Sequence, residues 1–131
     1  MTKEEVLRTL RALPFAPEDY WLITGGAMVL YGFRPETGDV DLGCTAALAD
    51  RLEAEGCLQG RAPDGMRHFH LGERIELFEN WMADAVTEYE GVPVVTVEGL
   101  LAMKEKLGRE KDRADVERIR ARLRGKERGE A

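Results

Sequence analysis

Two aspartates one residue apart, Asp39 and Asp41 in the run Thr37-Gly38-Asp39-Val40-Asp41-Leu42, are the residues of this chain best suited to chemistry. If the run is a strand, positions i and i+2 project to one face and the carboxylates stand side by side. Like charges that close are costly unless something positive sits between them. A hard, oxygen-rich pair suits Mg²⁺, with Mn²⁺ as the alternative ion. Upstream, Tyr20-Trp21-Leu22-Ile23-Thr24 delivers the chain to Gly25-Gly26 and a short helix. A glycine turn at a helix N-terminus offers backbone N–H groups to phosphate. Metal beside phosphate is the chemistry of nucleotide handling.

Glu76 is the third candidate. It lies in Ile75-Glu76-Leu77-Phe78, where an unpaired buried carboxylate would be expensive. Strand alternation gives Ile75 and Leu77 one face and leaves Glu76 free to face Asp39 and Asp41. The alternative is a carboxylate on the wet face of that strand. Three converging carboxylates would allow two metals, one for nucleotide phosphates and one to activate an acceptor hydroxyl. His68 and His70 also share a face, but two histidines without a nearby third ligand are weak for zinc, so structural or surface roles are expected, with bordering the site beside the Glu76 strand as the alternative. Trp21, Trp81, Phe69 and Phe78 read as core aromatics, Trp81 having the alternative of stacking on a base.

The elements that must position these groups follow from spacing. Thr2-x-x-Glu5 is a capping box, with Val6, Leu7, Leu10 and Leu13 at helical intervals and Pro14 and Pro17 ending the helix. Strands are predicted over Tyr20–Thr24 and Asp39–Cys44, with helices over Ala27–Tyr31 and Ala46–Glu55. Gly56–Gly65 reads as loop. Arg67–Leu71 and Arg74–Phe78 form a hairpin about Gly72-Glu73. Residues 80–87 are ambiguous between short helix and turn, and Val92–Val95 is another strand. Thr96 caps a helix through Leu107, which Gly108 interrupts. The last helix is predicted over Glu110–Leu123, burying Val116, Ile119 and Leu123. Strands and helices mixed around one sheet give an α/β or α+β domain over residues 1–124, with a polar tail over 125–131.

Charge is uneven. Residues 1–100 carry 8 Lys/Arg against 18 Asp/Glu, whereas residues 101–131 carry 11 against 7. An acidic body disfavours general nucleic-acid coating, while the basic end leaves room for a local phosphate-meeting patch. No apolar run approaches the roughly 20 residues of a membrane span. The N-terminus shows no hydrophobic signal segment, so a cytoplasmic location is expected. Cys44 and Cys57 read as reduced thiols.

Gly25-Gly26, Arg34, Thr37-Gly38-Asp39-Val40-Asp41 and the later Glu76 together resemble the nucleotidyltransferase superfamily that includes DNA polymerase beta. The segment Leu101-Ala102-Met103-Lys104 … Arg109-Glu110-Lys111-Asp112-Arg113-Ala114-Asp115 is similar to the tail of small bacterial nucleotidyltransferases related to abortive-infection toxins. The resemblance spans about residues 20–120. It implies a minimal nucleotidyltransferase fold, a mixed sheet with helices packed on it. It implies that Asp39 and Asp41 bind Mg²⁺, and that Glu76 is the third ligand or the base that deprotonates the acceptor. Gly25 and Gly26 would hold nucleotide phosphate, Arg34 and Thr37 would touch phosphate or orient the loop, and Lys104 and Arg109 would approach the nucleotide. Lys104 would neutralise charge developing in the transition state. Glu76 departs from a pattern in which the third acid is often Asp.

Without the resemblance, Lys104 reads as a solvated helix lysine. Asp112 and Asp115 read as surface partners of Arg109 or Arg118, with Asp112 alternatively anchoring Lys104 or Arg109. The expected activity is transfer of a nucleoside monophosphate from an NTP to an acceptor hydroxyl on tRNA, protein or a small molecule, with pyrophosphate released. A toxin-like enzyme is one variant. The alternative is a non-catalytic nucleotide-binding or protein-interaction module with the same fold. A homodimer or a partner protein is compatible with either.

Overall fold

The computed structural model describes residues 1–127. The helices are α1 (Lys3–Arg11), α2 (Thr24–Leu30), α3 (Ala46–Ala54), α4 (Val97–Leu107) and α5 (Arg113–Glu127). The strands are β1 (Tyr20–Ile23), β2 (Val40–Cys44), β3 (Leu58–Arg61), β4 (Arg67–Leu71), β5 (Ile75–Glu79), β6 (Val86–Tyr89) and β7 (Val92–Val95). They form one mixed sheet in the order β3-β4-β5-β2-β1-β7-β6. β2 runs parallel to β5 and β1 parallel to β7, while the remaining neighbours are antiparallel.

Register explains how one sheet serves both core and site. Phe69, Leu77, Leu42, Leu22 and Val94 are paired in a continuous row across β4, β5, β2, β1 and β7. All five are fully buried. Helical side chains including Leu10, Leu48, Leu52, Leu100 and Ile119 complete the same core. The rows on either side of the buried one, His70–Glu76–Asp41–Ile23 and His68–Phe78–Gly43–Trp21, fall on the opposite face. The polar candidates are therefore grouped by strand alternation, with the apolar row fixing the register that groups them.

Several elements differ from the sequence expectation for physical reasons. α1 carries the expected capping box at Thr2 and Glu5. α2 begins at Thr24 rather than Ala27, because the two glycines sit in its first turn, where N–H groups have no intrahelical partner. Residues 58–61, expected as loop, form the edge strand β3, whose register shifts between Leu58 and Gly60. Glycine is tolerated at such an edge irregularity. β6, which starts at the end of the ambiguous stretch and runs past it, is exposed along its length and takes its form from pairing with β7. α4 ends at Gly108, which adopts the left-handed conformation with φ of 57°. A short 3₁₀ turn over Glu110–Asp112 precedes α5, which continues to Glu127, past the expected end at Leu123. The polar tail expected from residue 125 thus begins inside this helix, and its residues 128–131 lie outside those described. Both cysteines are free. Among the described residues no helix is long and apolar enough to cross a membrane.

Candidate active site

The site starts at the β1–α2 junction. Thr24 has φ of 51°, a left-handed conformation unfavourable for a β-branched residue. Its Oγ1 donates to Asp41 Oδ2 at 2.8 Å. The strained residue is thus tied to the carboxylate that the β1–β2 register places beside it, since Ile23 pairs with Asp41. Sequence reading missed Thr24; its position between an apolar strand and a glycine pair was the available signal. Ile23, the residue before α2, provides no side-chain cap, so the first N–H groups of the helix have no side-chain acceptor there.

Gly25 is required by crowding. A Cβ at this position would lie 2.5 Å from Thr37 Oγ1 and 3.7 Å from an Arg34 guanidinium nitrogen. The loop carrying Arg34 and Thr37 therefore passes directly over the glycine turn. At Gly26 a Cβ would meet the buried Leu22 side chain at 2.6 Å, so this glycine serves helix–strand packing.

Asp39 is exposed and precedes β2, which starts at Val40, whereas Asp41 lies within the strand and is half-buried. Burial pushes the Asp41 carboxyl above its usual range; the Thr24 hydrogen bond opposes this, and Glu76 and Asp39 add to it. Glu76 is in register with Asp41 on the parallel strand β5. Its carboxylate, however, is turned to the two histidines: Oε1 lies 2.7 Å from His70 Nε2, while Oε2 lies 3.7 Å from His68 Nε2, beyond hydrogen-bond reach. The histidines, expected to have structural or surface roles, have Glu76 as the nearby third group that the sequence did not show.

A cleft of about 550 Å³ joins Thr24, Gly25, Arg34, Thr37, Asp39 and Asp41 to Met103, Lys104, Leu107, Arg109 and Asp112 across from them. Phe78 and Trp81 close one side of it; Glu76 does not line it. Phe78 is half-buried and Trp81 is 36% exposed, so neither is the fully buried core residue expected. Trp81 is held from below. Trp21 lies flat over Gly43, its cross-strand partner, and its Nε1 donates to the Trp81 carbonyl at 2.8 Å.

The α4–α5 side departs most from expectation. Lys104 is 4% exposed and is not a solvated helix lysine. Its Nζ lies 3.0 Å from Asp115 Oδ2 and 3.3 Å from Asp112 Oδ1, two carboxylates that are themselves buried. Arg109 Nε donates to Asp112 at 2.6 Å, and Arg34 pairs with Asp115 across the loop. The Arg109 guanidinium holds the Asp112 carboxyl down at about 2, with Lys104 adding to the effect. Burial raises the Asp115 carboxyl, but Arg34 and Lys104 outweigh it and leave it below the usual range. Asp112 thus anchors both Lys104 and Arg109, the alternative offered from sequence, and Asp115 keeps its expected partner Arg118; the two carboxylates are buried and not on the surface. The i, i+3 spacing that read as a surface ladder arises equally at a helix face buried against α4.

Thr24, Gly25, Arg34, Thr37, Asp39, Asp41, Lys104 and Arg109 therefore meet in one cleft, with Gly26 behind it and Glu76 one strand away on the same face. Among solved structures, the chain is similar to a "putative nucleotidyltransferase" of Thermotoga maritima, with a TM-score of 0.59 over 95% of this chain and 96% of the other. The two are 17% identical, so the likeness is one of fold. No protein-family model and no curated protein matches the chain.

Proposed function

We propose that the chain is a nucleotidyltransferase that moves a nucleoside monophosphate from an NTP to an acceptor hydroxyl and releases pyrophosphate. The observation that carries this reading is the convergence of an aspartate pair, an uncapped helix start and four basic side chains (Arg34, Lys104, Arg109 and Lys111) on one cleft in a nucleotidyltransferase-like fold. The donor set fits Mg²⁺ or Mn²⁺: two hard carboxylates, one of them raised by burial and by neighbouring acids. Asp39 and Asp41 would hold the ion, whose remaining positions suit substrate phosphates and water. Such an ion, when bound, supplies charge neutralisation at the phosphates and in-line positioning of the reacting oxygen.

The chain's own groups do the rest. The N–H groups opening α2 bind phosphate oxygens, and Gly25 leaves room for that approach. Arg34 and Arg109, held by Asp115 and Asp112, present their guanidiniums at the rim. Lys104, buried between the same two aspartates, acts by fixing them, in place of the direct phosphate contact expected from sequence. Attack by the acceptor oxygen on the α-phosphorus forms one P–O bond as the bond to pyrophosphate breaks. Glu76, beside Asp41 in the same row but outside the cleft lining, would accept the acceptor's proton or serve as a third metal ligand once it releases His70. The acceptor, of tRNA, protein or small-molecule class, enters past Phe78 and Trp81. A location in the cytoplasm and a toxin-like role stay with this reading as expectations.

One observation favours a nucleotide-binding module without catalysis: Lys104 is already neutralised by Asp112 and Asp115. Thermal unfolding with each NTP, with and without Mg²⁺, tests the site for wild type, Asp39→Asn and Asp41→Asn. Ligand at 100 times its Kd adds about 2.7 kcal/mol to stability. A Mg²⁺-dependent shift lost in both variants is expected; no shift with any nucleotide refutes the nucleotide site. Pyrophosphate release from the shifting NTP, with candidate acceptors, then separates transferase from binding module.

A further inference from the structure

We propose that His68, His70 and Glu76 form a binding site for a divalent transition ion of the Zn²⁺ or Co²⁺ class, separate from the aspartate pair. His68 and His70 project from the same face of β4, and the antiparallel register sets His70 directly opposite Glu76 on β5. One ligand atom from each of the three lies within 4.8 Å of the others. Around a tetrahedral ion with ligands about 2.0–2.1 Å away, donor atoms stand roughly 3.3 Å apart. His70 lies 2.7 Å from one Glu76 oxygen and His68 3.7 Å from the other, on either side of that spacing, so a modest rotation of the carboxylate and imidazoles would admit an ion.

A hydrogen-bonded His70–Glu76 pair on the sheet surface would account for the shorter contact alone. It leaves His68 unexplained, because its Nε2 is buried and has no hydrogen-bond partner. Buried polar atoms are normally satisfied, and an imidazole nitrogen beside a second imidazole and a carboxylate has the surroundings of a metal ligand. The ring is also fixed in orientation, stacked on Phe78 at 4.5 Å between centroids and 6° between planes. Imidazole donors select Zn²⁺, Co²⁺, Ni²⁺ or Cu²⁺ over Mg²⁺, which prefers the oxygen-only pair at Asp39 and Asp41. Three protein ligands leave one position open for water or a substrate group. Asp41, next in the same row, adds a negative field that favours the cation.

The site rests on the His–His–Glu geometry and not on the nucleotide reading, so each can fail alone. His68 and His70 are the only histidines in the chain, which makes their imidazole NMR signals unambiguous. Titrating the metal-free full chain with Zn²⁺ is expected to shift both histidines together and to saturate at one ion per chain. Co²⁺ is expected to give the intense visible bands of a four-coordinate ion, displaced by Zn²⁺. Glu76→Gln and His70→Gln, which remove direct ligands, should weaken Zn²⁺ by at least the roughly 10–100-fold typical of losing an outer-shell partner, while Asp39→Asn leaves it unchanged. Failure of both histidines to respond at micromolar Zn²⁺, or a response of only one, overturns the proposal. So does undiminished binding in Glu76→Gln.

Discussion

Replacing Lys104 by alanine tests whether this residue holds the fold or serves a ligand. Its ammonium lies 3.0 Å from Asp115 and 3.3 Å from Asp112, and each carboxylate is only 2% exposed. Removing the ammonium leaves both acids buried, with Arg109, Arg34 and Arg118 as their remaining partners. Breaking a buried ion pair from one side costs about 3–5 kcal/mol, and the surviving guanidiniums set the expectation at about 3 kcal/mol. For a domain of this size that lowers Tm by about 10 °C. The pH dependence gives a second readout. Asp112 is held down at about 2 and Asp115 below its usual range. A carboxyl with a lowered folded value contributes stability that is present above its unfolded value, near pH 4, and lost as pH falls through the folded one. Wild type should therefore lose stability steadily from about pH 4 towards pH 2, and Lys104→Ala should show a shallower acid limb. Urea unfolding at pH 7 and at steps into acid measures both. A variant within about 1 kcal/mol of wild type at pH 7, with a parallel acid limb, would refute the anchoring role and return Lys104 to the ligand.

Asp41→Asn should act in the opposite direction on the metal-free protein. Burial and the neighbouring acids raise this carboxyl, so its charged form destabilises the fold above the folded value and ceases to do so below the unfolded one. The variant should gain on the order of 1 kcal/mol at pH 7, with the advantage vanishing in acid, as urea midpoints across pH will show. Equal midpoints at pH 7 would mean that the site stores no such repulsion. Gly43→Ala should disturb the cleft from beneath, because its Cβ would lie 2.1 Å from Trp21 Nε1, a clash that the buried indole must relieve by moving. A loss of about 2–3 kcal/mol and a red-shifted tryptophan emission are expected from the displaced ring and its broken bond to the Trp81 carbonyl. Wild-type emission and stability would show that Trp21 is not the support of Trp81.

Local signals in this chain are those that act within a few residues. The capping box at Thr2, the Thr96 cap, the Gly108 stop and the Arg67–Phe78 hairpin were legible because each is settled by side chains reaching their own backbone or by strand alternation. The spacing of Asp39 and Asp41, with Gly25-Gly26 upstream, identified the nucleotide-handling candidates for the same reason. Edge strands β3 and β6 were not legible, since their form comes from a neighbour across the sheet and not from their own pattern. The charges were legible in part. The spacing offered Asp112 as an anchor for Lys104 or Arg109 and gave Asp115 to Arg118, and those contacts form; that Lys104, Asp112 and Asp115 are buried comes only from the packing of α5 against α4. Likewise His68 and His70 waited for a third ligand that lies six residues beyond His70 in sequence and directly opposite it in space, because the hairpin register brings Glu76 there. Sequence supplied the chemistry of single residues and close pairs. The sheet's register, set by a buried apolar row on its other face, decided which of them meet.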